Sequence, residues 1–110
     1  NKMDKNITLT RKLRREVKSF KPFVRVKCFN NDRDQTILEL STLDRPGILN
    51  IIANEFEKFQ LKLINAKIST LGEKVDDIFF IADRNGLAVH ESNHEKIELA
   101  IEKALALTGD

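Results

Sequence analysis

The chain has no tryptophan, no tyrosine, a single cysteine and only four glycines, at positions 47, 72, 86 and 109. A lone Cys28 cannot form an internal disulfide, which fits a reducing, cytoplasmic setting. Glycines so scattered build no phosphate-cradling loop. No apolar run approaches the ~20 residues that span a bilayer, and Met3 is followed by charge where a signal peptide has an apolar core. The start at Asn1-Lys2 leads us to expect a longer natural chain. Cys28 has no histidine near it and sits in an alternating segment, where a buried thiol is the simpler reading than a nucleophile. Asp76 and Asp77 adjoin, and in a strand they face opposite sides. These absences predict a chain that performs no catalysis itself and holds no metal.

What is present fits one soluble domain: 110 residues, 41% hydrophobic and 33% charged, enough for a real core. The net charge of +2 hides an asymmetry, because residues 1–27 hold 10 Lys/Arg against 2 Asp/Glu and residues 28–110 hold 9 against 15. The basic run Arg11 to Lys21 holds a single aromatic, Phe20 near its end, too few to interleave with the cations as a base-stacking platform. We read residues 1–22 as a solvated basic linker with a short helix over 9–19, and residues 23–110 as the domain.

The periodicity then changes. Val24, Val26 and Cys28 alternate with Arg25 and Lys27, predicting a strand over about 23–29. Asn30 to Asp34 is a turn cluster, and a second strand follows over 35–42 with Leu38 and Leu40 inward and Glu39 outward. Next comes Leu43-Asp44-Arg45-Pro46-Gly47-Ile48, in which Asp44 is expected to cap a helix, Pro46 to occupy its first turn and Gly47 to let a ligand approach the backbone. Exposed N–H groups at such an elbow suit a carboxylate, because partial positive charge concentrates at a helix N-terminus. An unliganded strand-to-helix turn has the same local signature.

The helix after the elbow carries Ile48, Leu49, Ile52, Phe56 and Phe59 as one stripe, with Asn54, Glu55 and Lys58 outside it. Two strands follow, 62–71 and 75–83, joined through Gly72. In the first, Ile64, Ala66 and Ile68 share a face. In the second, Ile78 and Phe80 oppose Phe79 and Ile81, so both faces need cover and one is expected to meet a second subunit or domain. Ser92-Asn93-His94-Glu95 reads as a capping box for a last helix bearing Ile97, Ala100, Ile101, Ala104 and Leu105. His90-Glu91-Ser92-Asn93-His94 matches the zinc-hydrolase string H-E-x-x-H, but a helix beginning inside the string leaves His90 in the loop and separates the two rings.

The order strand, strand, helix, strand, strand, helix lacks the last strand of a split βαβ sandwich. We expect residues 23–29 to pair antiparallel with 35–42 and fill that slot.

The elbow, the run Asn65-Ala66-Lys67-Ile68-Ser69-Thr70-Leu71-Gly72-Glu73 and the segment Val75-Asp76-Asp77-Ile78-Phe79-Phe80-Ile81-Ala82-Asp83 together resemble an ACT domain, a small-molecule-sensing regulatory module. The resemblance covers about residues 23–107. More narrowly, it is similar to the C-terminal ACT domain of bifunctional uridylyltransferase/uridylyl-removing enzymes that act on the PII nitrogen-regulatory protein. It implies an α+β, ferredoxin-like sandwich with a four-stranded antiparallel sheet and two helices on one face. It also implies a glutamine effector, no other cofactor, a second ACT domain as homodimer or tandem partner, and PII as partner of the parent enzyme. Catalysis there belongs to nucleotidyltransferase and phosphohydrolase-type domains outside these residues. By position, Asp44, Arg45, Gly47 and Ile48 would form one wall of the ligand site, and Asn65 and Ala66 the other. Lys62 stands where some amino-acid-binding members place an amide.

Two other classes fit the same pattern. A βαββαβ sandwich with aromatic strand positions also describes an RNA-recognition module, against which stand the absent basic-Gly-aromatic signature and the phosphate repulsion of Asp76, Asp77 and Asp83. A purely structural dimerisation domain fits the two-faced strand.

Overall fold

The computed structural model describes residues 23–107; the expected basic linker over 1–22 and the helix expected within it lie outside the described residues. Strand β1 (Val24–Asn30) and strand β2 (Thr36–Leu43) form a hairpin, followed by helix α1 (Ile48–Lys58), strands β3 (Lys62–Leu71) and β4 (Lys74–Ala82), a 3-10 turn (Glu91–Asn93) and helix α2 (His94–Leu107). All pairings are antiparallel and the sheet order is β1-β2-β4-β3. The result is the α+β, ferredoxin-like arrangement, with β1 in the slot that a split βαβ sandwich gives to the strand after its second helix. Seven residue pairs, from Val24 with Thr42 to Asn30 with Thr36, hold it there.

One face of the sheet is buried. Val26, Cys28, Leu38, Leu40, Phe79 and Ile81 from the strands meet Ile48, Ile52 and Phe56 of α1 and Ile97, Ile101 and Leu105 of α2. Phe56 and Phe79 pack edge to face, with centroids 5.7 Å apart. Each strand supplies alternate residues to this face, and each helix one stripe at three-to-four spacing.

Polar groups close the ends of the core. Buried Thr36 donates to Asn30 Oδ1 (2.6 Å) and accepts from the Val89 N–H (2.7 Å), while Asn30 Nδ2 donates to the Val89 carbonyl (3.0 Å). This ring of bonds pins the loop after β4 onto the first hairpin. At the opposite end, Thr42 donates to the Phe23 carbonyl (2.7 Å). On the outer edge of β1, the Cys28 N–H donates to Glu98 Oε2 of α2 (2.7 Å).

Several local expectations need correction. Leu49 is half exposed, whereas Glu55 is buried, turned towards α2 and bonded to Lys58 Nζ at 3.0 Å. The stripe on α1 is therefore rotated towards its neighbouring helix. In β3, a bulge between Leu63 and Asn65 takes Ile64 out of phase, so it no longer shares a face with Ala66 and Ile68. Ile64 and Ile68 are 63% and 52% exposed, because the helical layer leaves most of this edge strand uncovered. Ser92 lies inside the 3-10 turn that precedes α2, and it is this turn that is capped: His90 accepts the Ser92 N–H through Nδ1.

Helix α1 ends in a Schellman arrangement without glycine. Gln60 takes φ 57°, its N–H reaches the Glu57 carbonyl (3.0 Å), and the Leu61 N–H reaches that of Phe56 (2.9 Å).

Candidate functional site

The elbow between β2 and α1 is held from two sides. The Asp44 N–H donates to the Glu73 carbonyl at 2.6 Å, tying the elbow to the β3–β4 turn. Arg45 Nη2 donates to the Leu105 carbonyl in the last turn of α2, placing a cation where the helix dipole is negative. Arg45 thereby couples the elbow to α2.

Asp44 does not cap α1. The N-cap is Gly47 in the left-handed region (φ 79°), and the helix start has no side-chain cap. Pro46 precedes that cap instead of filling the first turn, so Asp44 is four residues short of Ile48 and cannot serve as N-cap. The consequence favours a ligand. The N–H groups of Ile48, Leu49 and Asn50 have no intrahelical acceptor, and no acidic side chain stands in the first turn. A recess of about 360 Å³ opens there, lined by Arg45, Gly47, Ile48, Leu49 and Asn50. A Cβ built at Gly47 would meet nothing within 4 Å, so the corner is open.

Asn65 and Ala66 lie elsewhere in the same chain. Asn65 pairs with Phe80, which pairs with Ile37 near the start of β2, six residues from Leu43 at the elbow end. At the rise of an extended strand that is about 20 Å along the sheet. The two residues also point apart: Ala66 packs half-buried against the core opposite Phe79, and exposed Asn65 bonds the Ala66 N–H through Oδ1 (2.9 Å). One chain does not bring the two walls together.

Two functional candidates escaped the sequence reading. Asp77 is 2% exposed on the helix side, in phase with Val75, Phe79 and Ile81, a phase that marks it as inward-facing. Burial pushes its carboxyl pKa up, with Asp76 and Asp44 adding repulsion, while the Ser69 N–H at 3.3 Å pulls it down. Glu98 was missed because its partner lies 70 residues away. Cys28 is buried as expected, and burial together with the nearby Glu98 carboxylate raises its thiol to about 12.

The H-E-x-x-H string straddles the start of α2. His90 is extended (ψ 142°) with Nδ1 held by Ser92, and His94 Nε2 donates to the Val89 carbonyl at 2.9 Å. Among the described residues no three His, Cys, Asp or Glu side chains gather at a point. A recess of about 670 Å³ runs between α1 and α2 over Ile51, Ala100 and Ala104. No described helix is long and apolar enough to cross a membrane.

Similar proteins add a decisive observation. The chain is 38% identical over 93% of its length to the bifunctional uridylyltransferase/uridylyl-removing enzyme of Pseudomonas syringae pv. tomato. The corresponding figures are 40% over 91% for the Pseudomonas fluorescens enzyme and 38% over 96% for that of Azotobacter vinelandii. The chain is a homologue of one part of that enzyme. It spans only 11–12% of the length of these uridylyltransferase/uridylyl-removing enzymes. No family model matches the chain, and no solved structure matches it.

Proposed function

We propose that this chain is the amino-acid-sensing ACT module of a cytoplasmic uridylyltransferase/uridylyl-removing enzyme that modifies PII, with glutamine as effector. Similarity to that enzyme along nearly the whole chain supports the parent, and the uncapped start of α1 supports the ligand class. An α-carboxylate seated on the N–H groups of Ile48, Leu49 and Asn50 would supply the acceptor that no side chain provides. In this reading Arg45, Gly47 and Ile48 supply that wall, with Asp44 just before them on the elbow.

The second wall comes from a second copy. The outer edge of β1 is covered by α2 and occupied at Cys28 by Glu98, whereas β3 exposes Leu63, Ile64, Ile68 and Leu71 along a ten-residue edge. An edge of that length and polarity is a template for strand pairing. Antiparallel pairing of β3 with its copy lays the Lys62–Ala66 half of one strand beside the Ser69–Leu71 half of the other. That reversal removes the 20 Å separation and sets the second copy's Asn65 and Ala66 near the elbow. Effector binding across the pair then shifts a two-state equilibrium in the attached catalytic domains, from adding uridylyl groups to PII towards removing them.

Calorimetric titration of the chain with glutamine, glutamate and asparagine, beside sedimentation analysis, tests the reading. We expect saturable glutamine binding by a dimer, lost in Gly47→Val and in the edge-breaking Ile68→Pro. The full-length enzyme carrying Gly47→Val should stop responding to glutamine. A dimer that ignores glutamine would leave a purely structural dimerisation domain.

A further inference from the structure

The face of the sheet turned away from the helices carries charge of predominantly one sign. By register, Arg25, Lys27, Lys62, Lys67 and Lys74 lie on it, against Glu39 and Asp76 alone. Asp76 accepts a short hydrogen bond from Ser41, which occupies part of its carboxylate. The other two aspartates that would repel an anion are not on this face. Asp77 is buried on the helix side, and Asp83 is spent on its own turn, accepting from the Asn85 and Leu87 N–H groups at 2.9 Å. Between the cations runs a half-buried apolar strip of Phe29, Ile37, Ile78 and Phe80.

We propose that this open sheet face docks an extended, acidic protein segment anchored by an apolar side chain. The proposal is independent of the ligand reading, because the elbow recess lies on the other side of the sheet. Like charge disfavours face-to-face packing of a second copy, and it disfavours residues 1–22, which carry 8 Lys/Arg against 2 Asp/Glu. RNA is disfavoured by the state of the rings. Lys27 Nζ stands 5.4 Å from the centroid of Phe29, and Arg25 and Lys74 stand 5.8 and 6.0 Å from that of Phe23, so this chain's own cations cover faces on which bases would stack. The same contacts hold the cations over the sheet.

Spacing sets the partner's pattern. Lys27, Glu39, Ile78 and Lys67 lie in one row across the four strands. Lys27 and Lys67 are therefore three strand spacings apart, about 14 Å. Two carboxylates four residues apart in an extended chain span nearly the same distance. A residue midway between them meets Ile78 beside Glu39, where an apolar side chain is accepted and an acidic one repelled. A continuous run of phosphates would cross Glu39, whereas two discrete carboxylates avoid it.

The test is a titration of the 110-residue chain, followed by backbone amide NMR, with the synthetic peptide Gly-Glu-Ser-Leu-Ser-Glu-Gly and its Lys-for-Glu counterpart. We expect saturable, salt-weakened shifts confined to Lys27, Ile78 and Lys67 and their strand neighbours for the acidic peptide alone. Lys27→Glu with Lys67→Glu should weaken binding at least tenfold, while the helix-face pair Lys96→Glu with Lys103→Glu leaves it within twofold. Thermal melting establishes that both variants fold. Shifts on the helical face, no saturable shifts, equal loss in both variants, or tighter binding of a twelve-residue oligouridylate would each overturn the proposal. So would a second copy covering this face in solution, seen as concentration-dependent shifts of the same residues without peptide.

Discussion

Removing the Glu98 carboxylate should release β1 from the sheet edge, and Cys28 reports the release. The Glu98 side chain reaches from α2 to the Cys28 N–H at 2.7 Å, a hydrogen bond to a charged acceptor at a partly buried position. Such a bond contributes about 1.5–3 kcal/mol, and its loss leaves the N–H without its acceptor. At about 2 kcal/mol, Glu98→Ala should open β1 about 30-fold more often and lower Tm by about 8–16 °C. The thiol is a built-in probe because the chain has no other cysteine. With its pKa raised to about 12, the native thiol is about one ten-thousandth ionised at pH 8. An ordinary thiol would be about one-quarter ionised. Labelling by an aromatic disulfide reagent should therefore proceed through opened molecules and accelerate about 30-fold in Glu98→Ala, less in Glu98→Gln, which keeps an oxygen acceptor. Labelling within twofold of the parent rate, together with an unchanged melting temperature, would refute the claim that this contact holds β1.

Gly47→Ala should cost about 1–2 kcal/mol in a denaturant titration from the left-handed backbone alone, since a Cβ there meets no neighbour within 4 Å. Asp77→Asn should raise stability at pH 7. The native carboxyl pKa is above its ordinary value of 3.8, so the folded state holds the proton more tightly, and parent stability falls as pH rises from about 3.8 through the raised pKa. The advantage of Asn should therefore fade below pH 3.8, and a gain of equal size at pH 3 and pH 7 would contradict this account. Thr36→Val removes the acceptor of the buried Val89 N–H and should cost about 2–3 kcal/mol, with faster hydrogen exchange at Val89. Gln60→Gly should stabilise by about 0.5–1 kcal/mol by relieving φ 57° at the end of α1, read as a higher urea midpoint.

Much of the fold was legible because its signals are local. The alternation in Val24-Arg25-Val26-Lys27-Cys28 and the stripe Ile97, Ile101, Leu105 follow from the periods of strand and helix, and the buried residues agree with both. The place of β1 followed from the strand order, since a hairpin strand ahead of the first core strand pairs along that strand's open side. The candidate site was less legible. Asp44 resembled a cap by composition, but capping depends on where the backbone first turns helical, and Gly47 delays that point. The bulge at Leu63/Asn65 shifts phase without any glycine or proline to announce it.

Residue order alone dictated which segments alternate, which coil and which face of each is apolar, because those properties depend on neighbours within a few positions. Folding in three dimensions settled what the distant polar groups do. Arg45 meets the Leu105 carbonyl, Thr36 meets Val89 and Glu98 meets Cys28 across 53 to 70 residues of chain. No local pattern encodes such meetings, since each needs a donor and an acceptor brought together by the packing of helices on the sheet.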